Sequence, residues 1–296
     1  MLVVNANDPP VQGLRCRQIE EADIDAVATL LTQGFPAHNR QFWLNALAQL
    51  TRHEPPQGLP KYGYLLEGQG TVAGAILVIC STTRDNGVVS RRCNLSSWYV
   101  EPRFRTYAPM LVSHAARHKD VTYTNVSSAP HTRPTIEAQG FSRYSEGIFV
   151  AVPALQGPFG GPAVEVFDVG HKPEVDFDPW DLEILQRHAA YGCISLWCAT
   201  SERAYPFVFR RRLVKRFVPC AQLIYCGDVG DFVRFAGPVG RALVRYGRSL
   251  VLIDANGPIP GLLGWFGQGK MPKYFKGPHR PRLGDLADTE YALLGV

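Results

Sequence analysis

SWYVEPRFRTYAPML, at positions 97–111, is the stretch of sequence that decides the fold. It begins as a β-strand that ends at Val100, because Pro102 cannot donate a ladder hydrogen bond. A short basic turn with Arg103 and Arg105 follows, and a proline then stands in the first turn of a helix. Such a junction points free backbone N–H groups outward at the positive end of a helix dipole. The stretch therefore predicts a diphosphate-binding site, to which both arginines add charge-assisted hydrogen bonds.

Strands and helices alternate on both sides of this junction. Period-2 patterns predict strands at Leu14–Ile19, Tyr62–Glu67, Thr71–Thr82, Asn94–Val100, Val121–Val126 and Ser142–Val152. Helical spacing and stop signals predict helices at Ile24–Gly34, Phe42–Leu50, Ala108–His118 and Thr132–Gln139. The turn Gly68-Gln69-Gly70 joins two of the strands into a hairpin. This order predicts an α/β fold with a mixed, mostly antiparallel twisted sheet, one β-α-β crossover and flanking helices.

The later part of the chain repeats this order of elements without repeating the sequence. A glycine- and proline-rich connector, Leu155–Pro162, separates a predicted first half, residues 1–163, from a second, degenerate half, residues 164–296. Val164–Val169 is strand-like and is also compatible with closing the first sheet. Later predictions are a helix capped by Asp178 and ending at Gly192, strands at Cys193–Ala199, Phe207–Leu213, Cys220–Tyr225, Asp231–Phe235 and Leu250–Ile253, a helix at Gly240–Tyr246, and a loop-rich tail up to Glu290–Leu294.

The junction resembles that of the GNAT superfamily of acyl-CoA-dependent N-acyltransferases. Members have a strand ending Val-x-Pro and then an Arg-x-x-Gly-x-Gly/Ala turn that opens a helix. Val100, Pro102 and Arg105 match in register, while Ala108 and Met110 stand where the family has its glycines. The resemblance covers Leu14–Val152 and extends more weakly into the second half, so it implies two tandem GNAT-like halves.

A second matching motif lies downstream of the junction. Members of the superfamily end the next short helix with Gly-Phe, and Gly140-Phe141 does so here. Many members place a tyrosine four residues before that glycine as the acid for the leaving thiolate. Ile136 occupies that position here, so the usual proton donor is missing.

The resemblance implies that acetyl-CoA or another acyl-CoA is the co-substrate. Its pantetheine arm would lie between the parallel strands Asn94–Val100 and Val121–Val126, where a backbone N–H would polarise the thioester carbonyl. The acceptor amine, on a small molecule or a peptide, would attack directly. The residues implied to bind the co-substrate are Trp98, Val100, Arg103, Arg105, Thr106, Tyr107, Ala108, Pro109 and Met110.

Three residues are candidates for the proton transfers that acyl transfer requires. Tyr144 is a candidate donor to the thiolate, His131 a candidate base, and Glu101 a base acting through water. Each also has an ordinary reading, as a half-exposed strand tyrosine, a loop histidine and a solvated carboxylate. His114 and His118 lack a third ligand, so we interpret them as a solvent-facing pair and predict no metal site.

The second half contains its own glycine-containing turn, Arg234–Arg241. It keeps two glycines between flanking arginines, but its spacing departs from the family pattern by one residue. Two interpretations stay open at this point: a second phosphate cradle, or a simple connection between a strand and a helix.

Composition limits the remaining possibilities. The chain has 296 residues, 46% of them hydrophobic, and a formal net charge of +5. The basic residues are scattered, apart from Arg210–Arg212 with Lys215 and Arg216, and no basic-aromatic motif accompanies them, so we predict no nucleic-acid partner. No apolar stretch of ~20 residues and no secretory leader is present, so we expect a soluble cytoplasmic protein without a membrane span.

The cysteines are odd in number and form no Cys-x-x-Cys pair. All seven lie in apolar, strand-like segments, which favours buried free thiols over disulfides or zinc ligands.

The leading functional hypothesis is an acyl-CoA-dependent N-acyltransferase. The alternative is a non-catalytic module of the same fold that binds coenzyme A or another anion as a sensor or scaffold. A third possibility is a tandem transferase that uses aminoacyl-tRNA, but the sequence lacks a basic helical hairpin to bind the tRNA.

Overall fold

A computed structural model describes residues 13–68, 70–85, 87–157, 164–214 and 217–295. Its helices are α1 Ile24–Gly34, α2 Arg40–Arg52, α3 Ala108–Ala115, α4 Arg133–Ala138, α5 Pro179–Ala190, α6 Val229–Arg234, α7 Ala236–Arg245 and α8 Glu290–Leu293. Its strands are β1 Arg15–Gln18, β2 Gly63–Gly68, β3 Thr71–Asp85, β4 Val88–Val100, β5 Val121–Asn125, β6 Ser142–Ala151, β7 Glu165–Asp168, β8 Ile194–Ala199, β9 Ala204–Val214, β10 Val218–Cys226, β11 Leu250–Ala255 and β12 Gly264–Lys276. Four features of the sequence analysis lie outside the described residues: Gln69, residues 158–163 around the predicted boundary, Lys215 and Arg216.

The chain forms two compact units, and β3 and β4 contribute to both. The first unit comprises Met1–Thr82 and Leu95–Lys119. In it β1 pairs antiparallel with β2, and β2 with β3, while β4 lies beside β3. Helices α1 and α2 pack on each other, and α3 packs against β1 and β2. The apolar residues that recur at helical spacing are buried as predicted, among them Val27, Leu31, Trp43, Leu47 and Leu50.

The second unit comprises Thr83–Asn94 and Asp120–Val296. Two strand pairs in it are parallel: β4 with β5, and β10 with β11. Three consecutive pairs are antiparallel, namely β7 with β8, β8 with β9, and β9 with β10. The strand series β1–β5 and the strand series β7–β11 therefore follow one pattern, a meander followed by a parallel neighbour. The mixed, mostly antiparallel α/β fold that the sequence predicts is confirmed.

The strand that follows each series in the chain pairs with the last strand of the other series. β6 follows β5 in the chain but pairs antiparallel with β11. β12 follows β11 but pairs antiparallel with β5, and β6 and β12 pair with each other. Each parallel pair is therefore completed by a strand from the other part of the chain.

Three segments differ from the sequence prediction. Asp231–Phe235 lies mostly in helix α6 rather than in a strand, because Asp228 accepts a hydrogen bond from the Gly230 amide and caps that helix. Val164–Val169 does not close the first sheet, since β7 pairs with β8. β12 was missed, because its glycines weaken the strand signal.

Two of the cysteines also contradict the prediction of free thiols. Cys80 and Cys93 are disulfide-bonded, whereas Cys16, Cys193, Cys198, Cys220 and Cys226 are free. Cys80 lies five residues before the end of β3 and Cys93 five after the start of β4.

Two predicted helix ends are confirmed. The carboxylate of Asp178 accepts a hydrogen bond from the Trp180 amide at the start of α5. Gly140 has a φ of +85° after α4, and Phe141 beside it is buried. Among the described helices, none has the length and apolar character needed to cross a membrane.

Candidate functional site

The end of β4 carries an unusual backbone conformation. Its parallel pairing with β5 runs from Arg91 to Asn94, although β4 itself continues to Val100. Ser97 has a φ of 50°, which is left-handed and costs energy for a residue other than glycine. We interpret this conformation inside a strand as a local bulge, a feature that recurs next to binding sites.

The residues after the bulge have distinct environments. Val100 is buried, and a Cβ added to Gly74 of β3 would lie 2.8 Å from its Cγ2 atom. The ring of Tyr99 packs on Gly34 at the end of α1. Trp98 is half-buried, and its indole Nε1 is buried without a hydrogen-bond partner among the described residues. An unpaired buried donor is available to a ligand.

The basic turn folds as a 3₁₀ helix, Pro102–Tyr107, that leads directly into α3. The Phe104 amide donates to the Glu101 carbonyl, and the Ala108 amide donates to the Arg105 carbonyl. Fewer N–H groups are thus free than the sequence predicts, because the 3₁₀ turn uses these two itself.

The side chains of the turn remain accessible, apart from Phe104. Phe104 is 1% exposed and anchors the turn. Its exposed neighbours are Arg103, Arg105, Thr106, Pro109 and Met110, and Tyr107 and Ala108 are half-buried. The junction therefore presents two guanidinium groups, one hydroxyl and one small side chain to an anion.

Glu101 lies at the edge of a cleft in the first unit. The cleft has a volume of about 340 Å³ and is lined by α1 residues including Asp25 and Thr29, by Arg40 of α2, and by Val72 and Glu101. Arg103 Nε donates to the Glu101 carboxylate over 3.1 Å. Glu101 is thus an ion-paired carboxylate that faces a solvent-filled cleft.

The predicted turn of the second half is closed by the protein itself. It is a junction between α6 and α7 rather than between a strand and a helix. A Cβ on Gly237 would lie 2.6 Å from the Gln156 carbonyl oxygen, and one on Gly240 would lie 2.4 Å from the Ala154 nitrogen. These glycines admit neighbouring backbone, so the interpretation as a phosphate cradle is wrong.

The edge of β10 that corresponds to the end of β4 is also occupied. Pairing of β10 with β11 ends at Gln222, and the register is irregular between Leu223 and Tyr225. Beyond that point the Leu286 amide donates to the Ile224 carbonyl over 2.7 Å, and the Cys226 amide donates to the Gly284 carbonyl over 3.0 Å. The segment Gly284–Leu286 thus forms an isolated antiparallel bridge with β10, Asp285 opposite Tyr225.

The tail is anchored by a buried ion pair. Both guanidinium nitrogens of Arg92 contact the carboxylate of Asp285, over 3.0 and 3.1 Å. Burial alone would raise the pKa of Asp285, but Arg92 and Arg282 outweigh it and hold the pKa at about 2.

Tyr144 and His131, the other predicted proton-transfer residues, have opposite environments. Tyr144 of β6 is 2% exposed, and burial together with the nearby Asp254 carboxylate raises the pKa of its phenol well above the ordinary value. His131 lies exposed in a 3₁₀ turn, Pro130–Thr132. The phenol therefore stays protonated at neutral pH, as a proton donor must.

A buried carboxylate near Tyr144 was missed by the sequence analysis. Glu290 is 0% exposed, and burial raises the pKa of its side chain. The signal available in the sequence was an acidic residue directly before the apolar run Tyr291-Ala292-Leu293-Leu294. A run of that kind predicts a short buried helix, which draws its first residue towards the core.

Comparisons with known proteins identify the fold. No protein-family profile matches the chain, and no curated protein matches it. A candidate acetyltransferase from Pyrococcus horikoshii superposes with a TM-score of 0.58 at 11% identity, over 98% of this chain and 99% of that one. A GCN5-related N-acetyltransferase from Anabaena variabilis gives 0.57 at 10% identity, over 89% and 72%.

A third solved structure agrees with these two. A probable N-acyltransferase from Enterococcus faecalis gives a TM-score of 0.57 at 11% identity, over 93% of this chain and 74% of that one. The chain therefore has the fold of the GCN5-related N-acetyltransferases, as the resemblance in its sequence predicts.

Proposed function

We propose that the protein transfers an acetyl or other acyl group from coenzyme A to an amine acceptor. The observation that carries this proposal is the end of β4, where Ser97 has a left-handed φ of 50° and a basic turn opens α3. In a GNAT fold, this is the place at which the resemblance puts the thioester and the diphosphate.

The residues present fit an acyl-CoA. Arg103 and Arg105 are exposed and supply charge to a diphosphate, and Thr106 adds a hydroxyl donor. Backbone groups at Trp98 and Val100 would pair with the amides of the pantetheine arm. We assign the rest of the surface of the turn, Tyr107, Ala108, Pro109 and Met110, to contacts with the same molecule.

The proposed chemistry is direct attack of the amine on the thioester carbonyl. A C–N bond forms and the C–S bond breaks, so the amine loses a proton and the sulfur gains one. A backbone N–H of β4 would stabilise the oxyanion. Tyr144 is protonated and suits the donor role, while Glu101 and His131 are the candidate acceptors.

The chain organisation that we propose is two tandem GNAT-like halves, 1–163 and 164–296, with one co-substrate site in the first. The repeated pattern of β1–β5 and β7–β11 supports the repeat. The tail on β10 supports the single site, because Gly284–Leu286 already uses the strand edge that a pantetheine arm would need. The acceptor in this proposal is a small molecule or a peptide.

The proposal includes a cytoplasmic location, and the redox state of the cysteines in the cell tests it. Disulfides are rare in reducing compartments, whereas Cys80 and Cys93 are bonded. Protein alkylated at the moment of lysis should show seven reactive thiols after denaturation if the disulfide is absent in the cell. Five would place the protein in an oxidising compartment.

Calorimetry and a thermal-shift titration with acetyl-CoA test the binding site. Ligand that binds only the folded state raises the melting temperature. At a ligand concentration of about one hundred times Kd, it adds ~2.7 kcal/mol to the free energy of unfolding. We expect Arg105→Glu to abolish the shift and the matched variant Arg234→Glu, in the closed turn, to retain it. Calorimetry should saturate at one equivalent per chain; a second equivalent, or a shift lost only in Arg234→Glu, would contradict the single site.

The alternative function is a sensor or scaffold that binds coenzyme A, or another anion, without turnover. The paired amides of Phe104 and Ala108 and the isoleucine at position 136 favour it. Release of free thiol from acetyl-CoA in the presence of pooled amines decides between them. Binding without release in any pool supports the sensor.

A further inference from the structure

The β9–β10 hairpin and the region around α7 concentrate positive charge within the second unit. Residues 204–227 and 235–253 together contain eight arginines and lysines and no aspartate or glutamate. The whole chain has a formal net charge of only +5, so the rest of the chain is net acidic. Like charges at this density create a positive potential that attracts an anionic partner.

The hairpin turn and the end of α7 lie at the same edge of the sheet. β10 and β11 are parallel, with Cys220 opposite Leu250, so the helix that connects them ends near the start of both strands. The turn between β9 and β10 directly precedes the start of β10. A side-chain contact agrees with this placement, because Arg211 Cζ lies 5.8 Å from the centroid of the Tyr246 ring, directly after α7.

The three consecutive arginines of β9 are divided between the two faces of the sheet, since neighbouring residues of a strand point to opposite sides. Arg210 donates to the Tyr191 carbonyl over 2.8 Å. Arg212 lies on the same face, with its guanidinium over the ring of Tyr291. The protein itself uses these two arginines, whereas Arg211 lies exposed on the opposite face.

The face that carries Arg211 ends in exposed apolar side chains. Leu213, two residues further along β9, is 60% exposed, and Phe217 at the turn is 73% exposed. Arg245 and Tyr246, at the end of α7, are exposed as well. We call Arg211, Leu213, Phe217, Arg245 and Tyr246 the basic tip. Neighbouring apolar side chains that stay exposed beside charged ones are typical of an interaction surface.

The chemistry of the basic tip discriminates between possible partners. Among the described residues, neither Arg211 nor Arg245 forms an ion pair, so both guanidinium groups remain available. A second copy of the chain would bring like charges together, which disfavours self-association through this surface. A nucleic acid would match the charge, but it offers no apolar environment to Leu213. A bilayer surface with anionic lipid matches both the charge and the apolar side chains.

We propose that the basic tip docks the protein on a membrane surface that contains anionic lipid. Phe217 and Leu213 enter the boundary between the headgroups and the acyl chains, while Arg211 and Arg245 contact lipid phosphates. The attachment is peripheral and reversible, and it requires both the charge and the apolar side chains, because stable anchoring takes two signals.

Sedimentation of the full chain with lipid vesicles tests the lipid preference. Pure phosphatidylcholine vesicles are compared with vesicles that contain ~30% phosphatidylserine. We expect the protein to sediment with the second kind only. Raising the salt concentration from ~0.1 M to ~0.5 M should release it, because salt screens the attraction between the arginines and the lipid.

Variants with unchanged charge test the apolar contribution. The double substitution Leu213→Ser with Phe217→Ser should lower the partition coefficient onto phosphatidylserine vesicles ~10-fold or more, because it removes the apolar surface that the bilayer buries. Leu155→Ser is the matched control, since Leu155 is 70% exposed but lies outside the basic tip. It should bind as wild type does. All three positions are exposed, so the melting temperatures should stay close to that of wild type.

A charge substitution and a fluorescence measurement locate the contact. Arg211→Gln should lower the partition coefficient ~5-fold, whereas Arg280→Gln, at an exposed arginine outside the basic tip, should leave it unchanged. Phe217→Trp should show an emission shifted to the blue on addition of phosphatidylserine vesicles, after subtraction of the wild-type spectrum. Leu155→Trp should show no such shift.

Three outcomes would overturn the proposal. The first is equal binding to both kinds of vesicle, or binding that the double serine variant retains. The second is binding of duplex DNA instead of vesicles, weakened by Arg211→Gln, which would make the basic tip a nucleic-acid surface. The third is a dimer in sedimentation velocity that the double serine variant abolishes, which would make it a contact between copies of the chain.

Discussion

The ends of β4 and β10 occupy equivalent places in the two strand series but are used differently. The parallel pairing of β4 includes Asn94 and that of β10 includes Gln222, and each strand has an irregular backbone further on, at Ser97 and between Leu223 and Tyr225. The edge of β10 is hydrogen-bonded by Gly284–Leu286. Within its own unit, among the described residues, β4 past Asn94 has only β3 as a ladder neighbour.

Under the proposed tandem organisation, this difference separates a series with a co-substrate site from a series without one. The tail supplies to β10 the backbone groups that a bound arm would supply, so the second series is complete without a ligand. The glycines of its turn are likewise filled, by Pro153–Gln156. The first series keeps an exposed basic turn and an unpaired indole N–H.

The largest expected effect comes from releasing the tail at its ion pair. Arg92→Met leaves Asp285 buried without its partner, which costs ~3–5 kcal/mol of the free energy of unfolding. Urea denaturation at pH 7 measures this. The low pKa of Asp285 stabilises the fold above the unfolded-state pKa, and that contribution is lost as pH falls towards about 2.

The control for that variant is the double substitution Arg92→Met with Asp285→Leu. Removing both charges should recover most of the loss, because no uncompensated charge is left. A double variant as unstable as the single one would mean that packing, and not the ion pair, anchors the tail.

A smaller effect is expected from one hydrogen bond of the tail. Leu286→Pro removes the N–H that donates to Ile224, so it should be less stable than Leu286→Ala by ~1–3 kcal/mol. Leu286→Ala is the matched control, since it loses the same buried side chain but keeps the amide. Equal stability of the two variants in urea would contradict this prediction, because the hydrogen bond from the tail would then not stabilise the edge of β10.

The smallest effect is expected at the bulge of β4. Ser97→Val puts a β-branched residue at a φ of 50° and should cost ~1–2 kcal/mol of unfolding free energy. Ser142→Val, on an exposed position of β6, should stay within ~0.5 kcal/mol. A Ser97 variant that is as stable as the Ser142 variant would remove the bulge as a distinguishing feature of β4.

Local signals in the sequence were enough for the elements that depend on local chemistry. Asp178 caps α5 and Gly140 ends α4 as predicted, because side-chain capping and a left-handed residue act within one helical turn. The fold was predicted from the order of the elements and from the resemblance of the junction at Val100–Leu111 to that of the GNAT superfamily.

What the sequence did not predict depends on partners far along the chain. β12 carries several glycines and becomes a strand only because β5 and β6 flank it. The segment Asp231–Phe235 is mostly helical because Asp228 caps the helix, and the period-2 pattern that predicted a strand carries no information about a cap. The apolar run after Glu290 indicates a buried helix, but the hydrogen bond that Glu290 accepts comes from Asn94, nearly two hundred residues earlier, and no local pattern identifies that partner.

The exchange of β6 and β12 imposes an order on synthesis and folding. The edge of β5 at Asn125 stays uncovered until Tyr274 of β12, about 150 residues further along the chain, pairs with it. While the chain emerges from the ribosome, β5 therefore presents an open edge until β12 has been made. Pairings over such sequence separations form slowly, so a nascent or truncated chain would need a chaperone to keep that edge from aggregating.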